Sequence, residues 1–155
     1  MIQRIQSVYL LMTSLLSILF LKGSYLTFFD NSGSTINIMA AGLFKTGGIS
    51  GPEKLGNLWI ILIMSILLPV LSTVIIFLYK KREIQILAVK FLILVILAFI
   101  AASVAYSLMI LSKYDASFGS WYKLMVPVIQ LILAFLALRG IKKDDELVKS
   151  YDRLR

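Results

Sequence analysis

Four long apolar runs divide the chain, at about residues 5–21, 58–79, 84–111 and 121–138. A helix needs about 20 apolar residues to cross the hydrocarbon layer of a bilayer, within a range of roughly 17 to 25. The first and last runs just reach that range. The third exceeds it, so it starts inside the headgroup layer and lets Lys90 snorkel outward. The pattern predicts an all-α integral membrane protein, a four-transmembrane-helix bundle forming one membrane domain over residues 1–155. Arg4 precedes the first run as a basic residue precedes a secretory signal. The exit, Phe20-Leu21-Lys22-Gly23-Ser24-Tyr25, has no small-x-small cleavage pattern, so the run is expected to be retained.

The polar residues between the runs add detail. The longest connection, residues 22–57, holds two β-prone stretches, Ser24 to Phe29 and Ser34 to Ile38. Asp30-Asn31-Ser32-Gly33 between them is good turn chemistry. A short extracytoplasmic β-hairpin is expected, and a lone hairpin needs something to lean on. Ile38 to Phe44 reads as a short interfacial segment, and Thr46 to Gly56, rich in glycine with Pro52, as flexible linker. Pro69 and Pro127 fall inside the second and fourth runs, where each is expected to kink its helix.

Composition supports a membrane setting. Hydrophobic residues make up 59% of the 155 and charged residues 15%, well below the roughly 25% charged of a soluble domain. The net charge of +8 comes from residues flanking the runs, which is a topology signal and no sign of nucleic acid. With the N-terminus inside, the cytoplasmic side holds Arg4, Lys80, Lys81, Arg82, Lys90, Arg139, Lys142, Lys143, Lys149, Arg153 and Arg155. The outer side keeps only Lys22, Lys45, Lys54, Lys113 and Lys123. Both termini of a multi-pass protein are therefore expected in the cytoplasm. Tyr25, Phe28, Phe29, Trp59, Trp121 and Tyr122 fall near the outer interface, where aromatic belts form.

Candidate chemistry is sparse. There is no Cys and no His, which removes thiol chemistry, the commonest general base and the commonest metal ligand. No Ser stands in a Gly-x-Ser-x-Gly elbow. No charge lies deep in a run, so a proton relay or ion exchanger has no obvious working parts. A membrane enzyme would need carboxylates from Asp30, Glu53 or Asp115 to converge at the outer face. No catalytic residue, metal site or cofactor is expected, and the chain is read as non-enzymatic. Ser14, Ser17, Ser65, Ser72, Thr73, Ser103, Tyr106, Ser107 and Gln130 are expected to glue helices together. Ala98, Ala102 and Ala105 share one face of the third run as a packing seam. The functional alternative is a polar pocket for a lipid or small substrate at Tyr106 and Gln130.

The C-terminus departs from the rest. Gly140 loosens the end of the fourth run, Arg139, Lys142 and Lys143 stop transfer, and Asp144 can cap a new, short amphipathic helix. In it Asp145, Lys149 and Arg153 stand at i, i+4 and i+8, and Leu147, Tyr151 and Leu154 make a narrow apolar stripe. So short a helix needs a docking surface. It either lies on the anionic inner membrane surface or offers its stripe to a soluble partner. Leu147, Lys149, Tyr151, Arg153 and Leu154 are thus the expected partner-docking residues.

Both ends also resemble a known family. The opening Met1-Ile2-Gln3-Arg4-Ile5-Gln6 with Val8-Tyr9-Leu10-Leu11 is similar to the start of an uncharacterised family of small four-span membrane proteins of Bacteroidota. So is the ending, with Leu138, Arg139-Gly140-Ile141, Lys142-Lys143-Asp144, Leu147-Val148, Ser150 and Asp152-Arg153-Leu154-Arg155. The resemblance spans the chain and implies a four-helix inner-membrane bundle with no assigned activity. The expected role is an accessory or assembly subunit of a membrane complex. Its partners would be the lipid bilayer and a membrane protein or a second copy of the chain, with no nucleic acid. A small transporter or lipid-binding protein is the alternative.

Overall fold

A computed structural model describes residues 5–21, 23–30, 33–47, 51–114, 116–120 and 122–153. The chain runs through helix α1 (Ile5–Leu21) into strands β1 (Ser24–Phe29), β2 (Thr35–Met39), β3 (Gly42–Thr46) and β4 (Glu53–Gly56). Helix α2 (Trp59–Phe77), a 3-10 turn (Leu78–Lys80) and helix α3 (Arg82–Tyr114) follow. Strand β5 (Ser117–Ser120), a second 3-10 turn (Tyr122–Leu124) and helix α4 (Met125–Arg153) complete the order.

The class is α+β, which overturns the all-α bundle that the apolar pattern predicts. The expected hairpin is two strands of a five-stranded antiparallel sheet in the order β4-β3-β2-β1-β5. The reason is pairing at long range. β5 lies between α3 and α4 yet pairs with β1 across Phe28–Phe118 and Phe29–Ser117, so one sheet joins both helix connections at that end of the molecule. The segment expected to lie at the interface supplies the rest of β2 and the start of β3, and the expected flexible linker supplies β4.

The β1–β2 turn behaves as its residues suggest. The Gly33 N–H donates to the Asp30 carbonyl at 3.0 Å, and the Asp30 N–H donates to the Ser34 carbonyl at 2.9 Å. Asn31 and Ser32 lie outside the described residues. At the β2–β3 turn Met39 pairs with Gly42, leaving Ala40 and Ala41 as the connection. Gly42 has a φ of 137°, and a Cβ there would stand 2.5 Å from the Gly56 carbonyl oxygen of β4. Only glycine suits that backbone and that close approach.

The helices pack as a closed ring in which each touches the two beside it, α1 against α2 and α4, and α3 against α2 and α4. Inward side chains recur at helical spacing: Gln6, Leu10, Thr13, Ser14 and Ser17 on α1; Gln130, Ala134, Ala137 and Ile141 on α4. Small and polar residues dominate both stripes, and that lets the backbones approach closely. On α3 the inward positions include Phe99, Ser103, Ser107 and Ile110. The expected alanine seam is displaced from the packing: Ala98 and Ala102 are half-buried and Ala105 is exposed.

Outward faces are mostly apolar along the helix bodies, among them Leu15 and Ile18, Ile66 and Val70, Leu94 and Leu97, and Ile132 and Phe135. A continuous apolar girdle of this kind is costly in water and suits hydrocarbon. Three helices, Trp59–Phe77, Arg82–Tyr114 and α4 over Met125–Val148, are long and apolar enough to cross a membrane. α1 has 17 residues, the low end of the roughly 17 to 25 that spanning requires.

Two helix features differ from expectation. Pro127 is the third residue of α4, in the first turn, where a missing N–H breaks no intrahelical bond. Pro69 does lie inside α2. At the other end, Gly140 does not interrupt α4 and Asp144 caps no new helix, because the helix continues unbroken to Arg153. The physical reason lies in the contacts these residues make.

Candidate functional site

Three places concentrate polar side chains, and the end of the ring away from the sheet is the first. The buried carboxamide of Gln6 donates from Nε2 to Oδ2 of Asp144 at 3.0 Å. The Arg82 guanidinium donates to the Asp144 carbonyl at 3.2 Å. Residue 144 therefore joins the start of α1, the start of α3 and the body of α4. Gly140 stands one turn earlier against Gln6, where a Cβ would meet the carboxamide oxygen at 3.2 Å and the Gln6 Cβ at 3.3 Å. Gln85, also buried, donates to the Ile75 carbonyl at 3.1 Å and satisfies the C-terminal turn of α2. Beyond Asp144 the helix runs on for Asp145 to Arg153, about 14 Å at about 1.5 Å per residue, with Leu147 and Val148 exposed. The side chains of Lys149, Tyr151 and Arg153, and all of Leu154, lie outside the described residues.

The second place is the interior of the ring. Gln130 donates to the Ser17 hydroxyl at 3.1 Å, and Ser17 donates onward to the Thr13 carbonyl at 2.9 Å. Ser14 and Thr73 share a hydrogen bond of 3.0 Å between α1 and α2. Ser72, Ser103 and Ser107 donate back to carbonyls four residues earlier on their own helices. Among the described residues no buried side-chain nitrogen or oxygen lacks a partner. Tyr106 and Gln130, the two residues from which the sequence suggests a pocket, stand apart. Gln130 is committed to Ser17 between α4 and α1, whereas Tyr106 lines a cavity beside the sheet in which Gln130 has no part.

The third place is the sheet end. Tyr25 is buried, donates its hydroxyl to Ser65 Oγ on α2 at 2.8 Å, and meets the Phe99 ring of α3 edge-on at 6.0 Å. Ser65 in turn donates to the Ile61 carbonyl. Phe28 lies edge-on to Phe118 at 5.0 Å. Tyr25 and Phe28 are core residues, which corrects their expected place in an interfacial aromatic belt. Trp59 is 64% exposed, and Trp121 lies outside the described residues. Lys123 donates to Ser24 Oγ at 2.7 Å. The carboxylate of Asp30 takes Lys45 at 2.6 Å and the Ser34 hydroxyl at 3.2 Å. Glu53 faces Lys45 across the β3–β4 pairing and is exposed. Asp115 lies outside the described residues. Among those described, no three acidic side chains gather in a way that could hold a metal ion.

The family model for the domain of unknown function DUF4293 matches residues 2–154. The chain belongs to that family. No curated protein matches it. The match covers the two ends and the sheet as well as the apolar helices, so the Gln6–Asp144 staple and the Tyr25 contact both fall within the family's domain.

Sequence reasoning missed Gln6, Gln85 and Gly140 as partners. The signal was present in a weak form. Gln6 and Gln85 are amides at the second position of the first and third apolar runs, and amides that end up buried must find hydrogen-bond partners.

Burial pushes the Tyr25 phenol above its usual value, partly offset by the bond to Ser65. The folded state then holds that proton more tightly than the unfolded chain does. The stabilisation is complete below the unfolded value of about 10 and is lost as pH rises through the folded value. Alkaline unfolding of the wild type should therefore steepen above about pH 10, and Tyr25→Phe should flatten that part of the profile. An unchanged slope would show that Tyr25 ionises as freely folded as unfolded.

Proposed function

We propose that the protein is a non-enzymatic accessory or assembly subunit of a membrane complex, held in the bacterial cytoplasmic membrane by four spans. The sheet lies outside and both termini are cytoplasmic. The observation that carries this reading is the commitment of the interior polar side chains. Gln130, Ser17, Ser14 and Thr73 bond helix to helix, so the surfaces left for work are the two ends. The orientation rests on the positive-inside rule, with Lys80, Lys81 and Arg82 in the short α2–α3 turn and Lys142 and Lys143 late in α4. α1 is counted as a span because it runs in the ring beside α2 and α4.

At the cytoplasmic end α4 leaves the ring as a continuous helix, and this favours presentation to a protein over lying flat on lipid. Exposed Leu147 and Val148 mark its apolar side. The test is a mild-detergent pull-down of the full chain beside a chain ended after Glu146, which keeps Asp144 and its bonds to Gln6 and Arg82 intact. Stoichiometric protein partners should accompany the full chain and fall at least about tenfold with the shortened one, the loss of about 1.4 kcal/mol of contact. Equal recovery from both chains would rule out the tail as the docking element.

A further inference from the structure

A cavity of about 180 Å³ lies between the sheet and the last two turns of α3. Its apolar walls include Leu43 of β3, Leu55 of β4, Leu58 and Ile110, and it also meets Tyr106, Asn57, Lys113 and Tyr114. Tyr106 and Lys113 are seven residues apart on one helix, about 10 Å along its axis. The cavity thus runs from the apolar body of α3 to its polar end.

Depth decides what reaches it. Lys90 and Lys113, both exposed, are separated by about 35 Å along α3 at about 1.5 Å per residue. A hydrocarbon layer of about 30 Å fits between them, with each ammonium reaching its own headgroup layer. The cavity then straddles the boundary between acyl chains and headgroups on the sheet side. Trp59 lines a second cavity, also of about 180 Å³, which shares Asn57 and Leu58 with the first and includes Lys54. An exposed Trp at this level is a usual interfacial anchor. Neither lining contains a carboxylate, and each contains a lysine.

We propose that this cleft holds one anionic phospholipid of the leaflet on the sheet side. Its acyl chain lies against Leu43, Leu55, Leu58 and Ile110, and its phosphate faces Lys113. The volume takes a stretch of one acyl chain, the remainder lying in the bilayer, and is too small for a helix or strand of a partner. The lysines match an anionic head, and Tyr106 is half-buried in the wall. Membrane insertion is taken from the preceding subsection. The site needs insertion but not the assignment of inside and outside, so an inverted topology would move the lipid to the other leaflet without removing it.

The test uses the full chain in nanodiscs of equal phosphatidylglycerol and phosphatidylcholine, followed by native mass spectrometry of the lipid that stays bound. One phosphatidylglycerol per chain should be retained, in preference to phosphatidylcholine by about fivefold, the effect of roughly one lysine near an anionic surface. Lys113→Gln should bring the two lipids to parity. Met109→Trp, at an exposed wall position, should fill the cavity and release both lipids. If the wild type holds the two lipids equally, or if the preference survives Lys113→Gln, the bound lipid is merely annular and the proposal fails. Retention undiminished in Met109→Trp would equally overturn it. A protein partner lost with the tail and a lipid retained in this cleft are separate readouts, so either reading can fail alone.

Discussion

Tyr25→Ala should destabilise the protein by about 3–5 kcal/mol, the usual cost of deleting a buried aromatic ring. Tyr25→Phe should cost only about 1 kcal/mol, the net worth of one hydrogen bond. The difference follows from where the ring stands. It leaves β1 at an irregularity in the β1–β2 pairing, is 3% exposed, and touches α2 through Ser65 and α3 through Phe99. No other side chain with described contacts joins the sheet to both helices by a hydrogen bond and a ring contact. Removing the hydroxyl leaves Ser65 bonded to Ile61, so no buried polar group is orphaned. Removing the ring opens a cavity between layers that do not share a backbone ladder and cannot easily collapse. Equilibrium unfolding in detergent mixtures measures both variants. The sheet amides, followed by hydrogen exchange, should lose protection in Tyr25→Ala before those of the helices. Equal costs for the two variants would show that the sheet is held by its strands alone and not by the helices beneath it.

The helices were legible in the sequence because their apolar runs are local signals. The first run and α1 coincide at residues 5–21, and the second differs from α2 by one or two residues at each end. The sheet was only half legible, for a reason visible in its strands. β1 and β2 carry β-branched and aromatic residues with turn chemistry between them. β4 is Glu53-Lys54-Leu55-Gly56 and β5 is Ser117-Phe118-Gly119-Ser120, neither of which has an alternation to read. Their strand geometry comes from their neighbours, Phe44 facing Lys54 and Phe28 facing Phe118. Tertiary pairing of that kind overrides propensity and leaves no trace in a short window. The break at Gly140 was expected on propensity, glycine being the weakest helix former after proline. Here the absent side chain serves the contact with Gln6, and a packing reason outweighs the local one.

That contact sets the second large effect. Gly140→Leu should destabilise the protein by about 1–3 kcal/mol, the cost of overpacking a close-packed contact. Even a bare Cβ at this position would press on Gln6 at 3.2–3.3 Å. A branched side chain must push α4 from α1 or drive the carboxamide off Asp144, which leaves a buried carboxamide and a half-buried carboxylate searching for partners. Glycine otherwise weakens a helix by about 1 kcal/mol relative to alanine, so leucine recovers through propensity only part of what it loses through packing. A loss observed in spite of that gain therefore reports the contact itself. The double-mutant cycle separates the two terms. Gln6→Ala should cost about 1–2 kcal/mol alone, from the lost charge-assisted bond. In the double variant the shortened residue 6 gives the leucine room, so the combined loss should fall short of the sum by at least about 0.5 kcal/mol. Additive losses would mean that Gly140 and Gln6 do not share one contact in the folded protein, and that α4 is held to α1 by the Gln130–Ser17 bond and the alanines beside it.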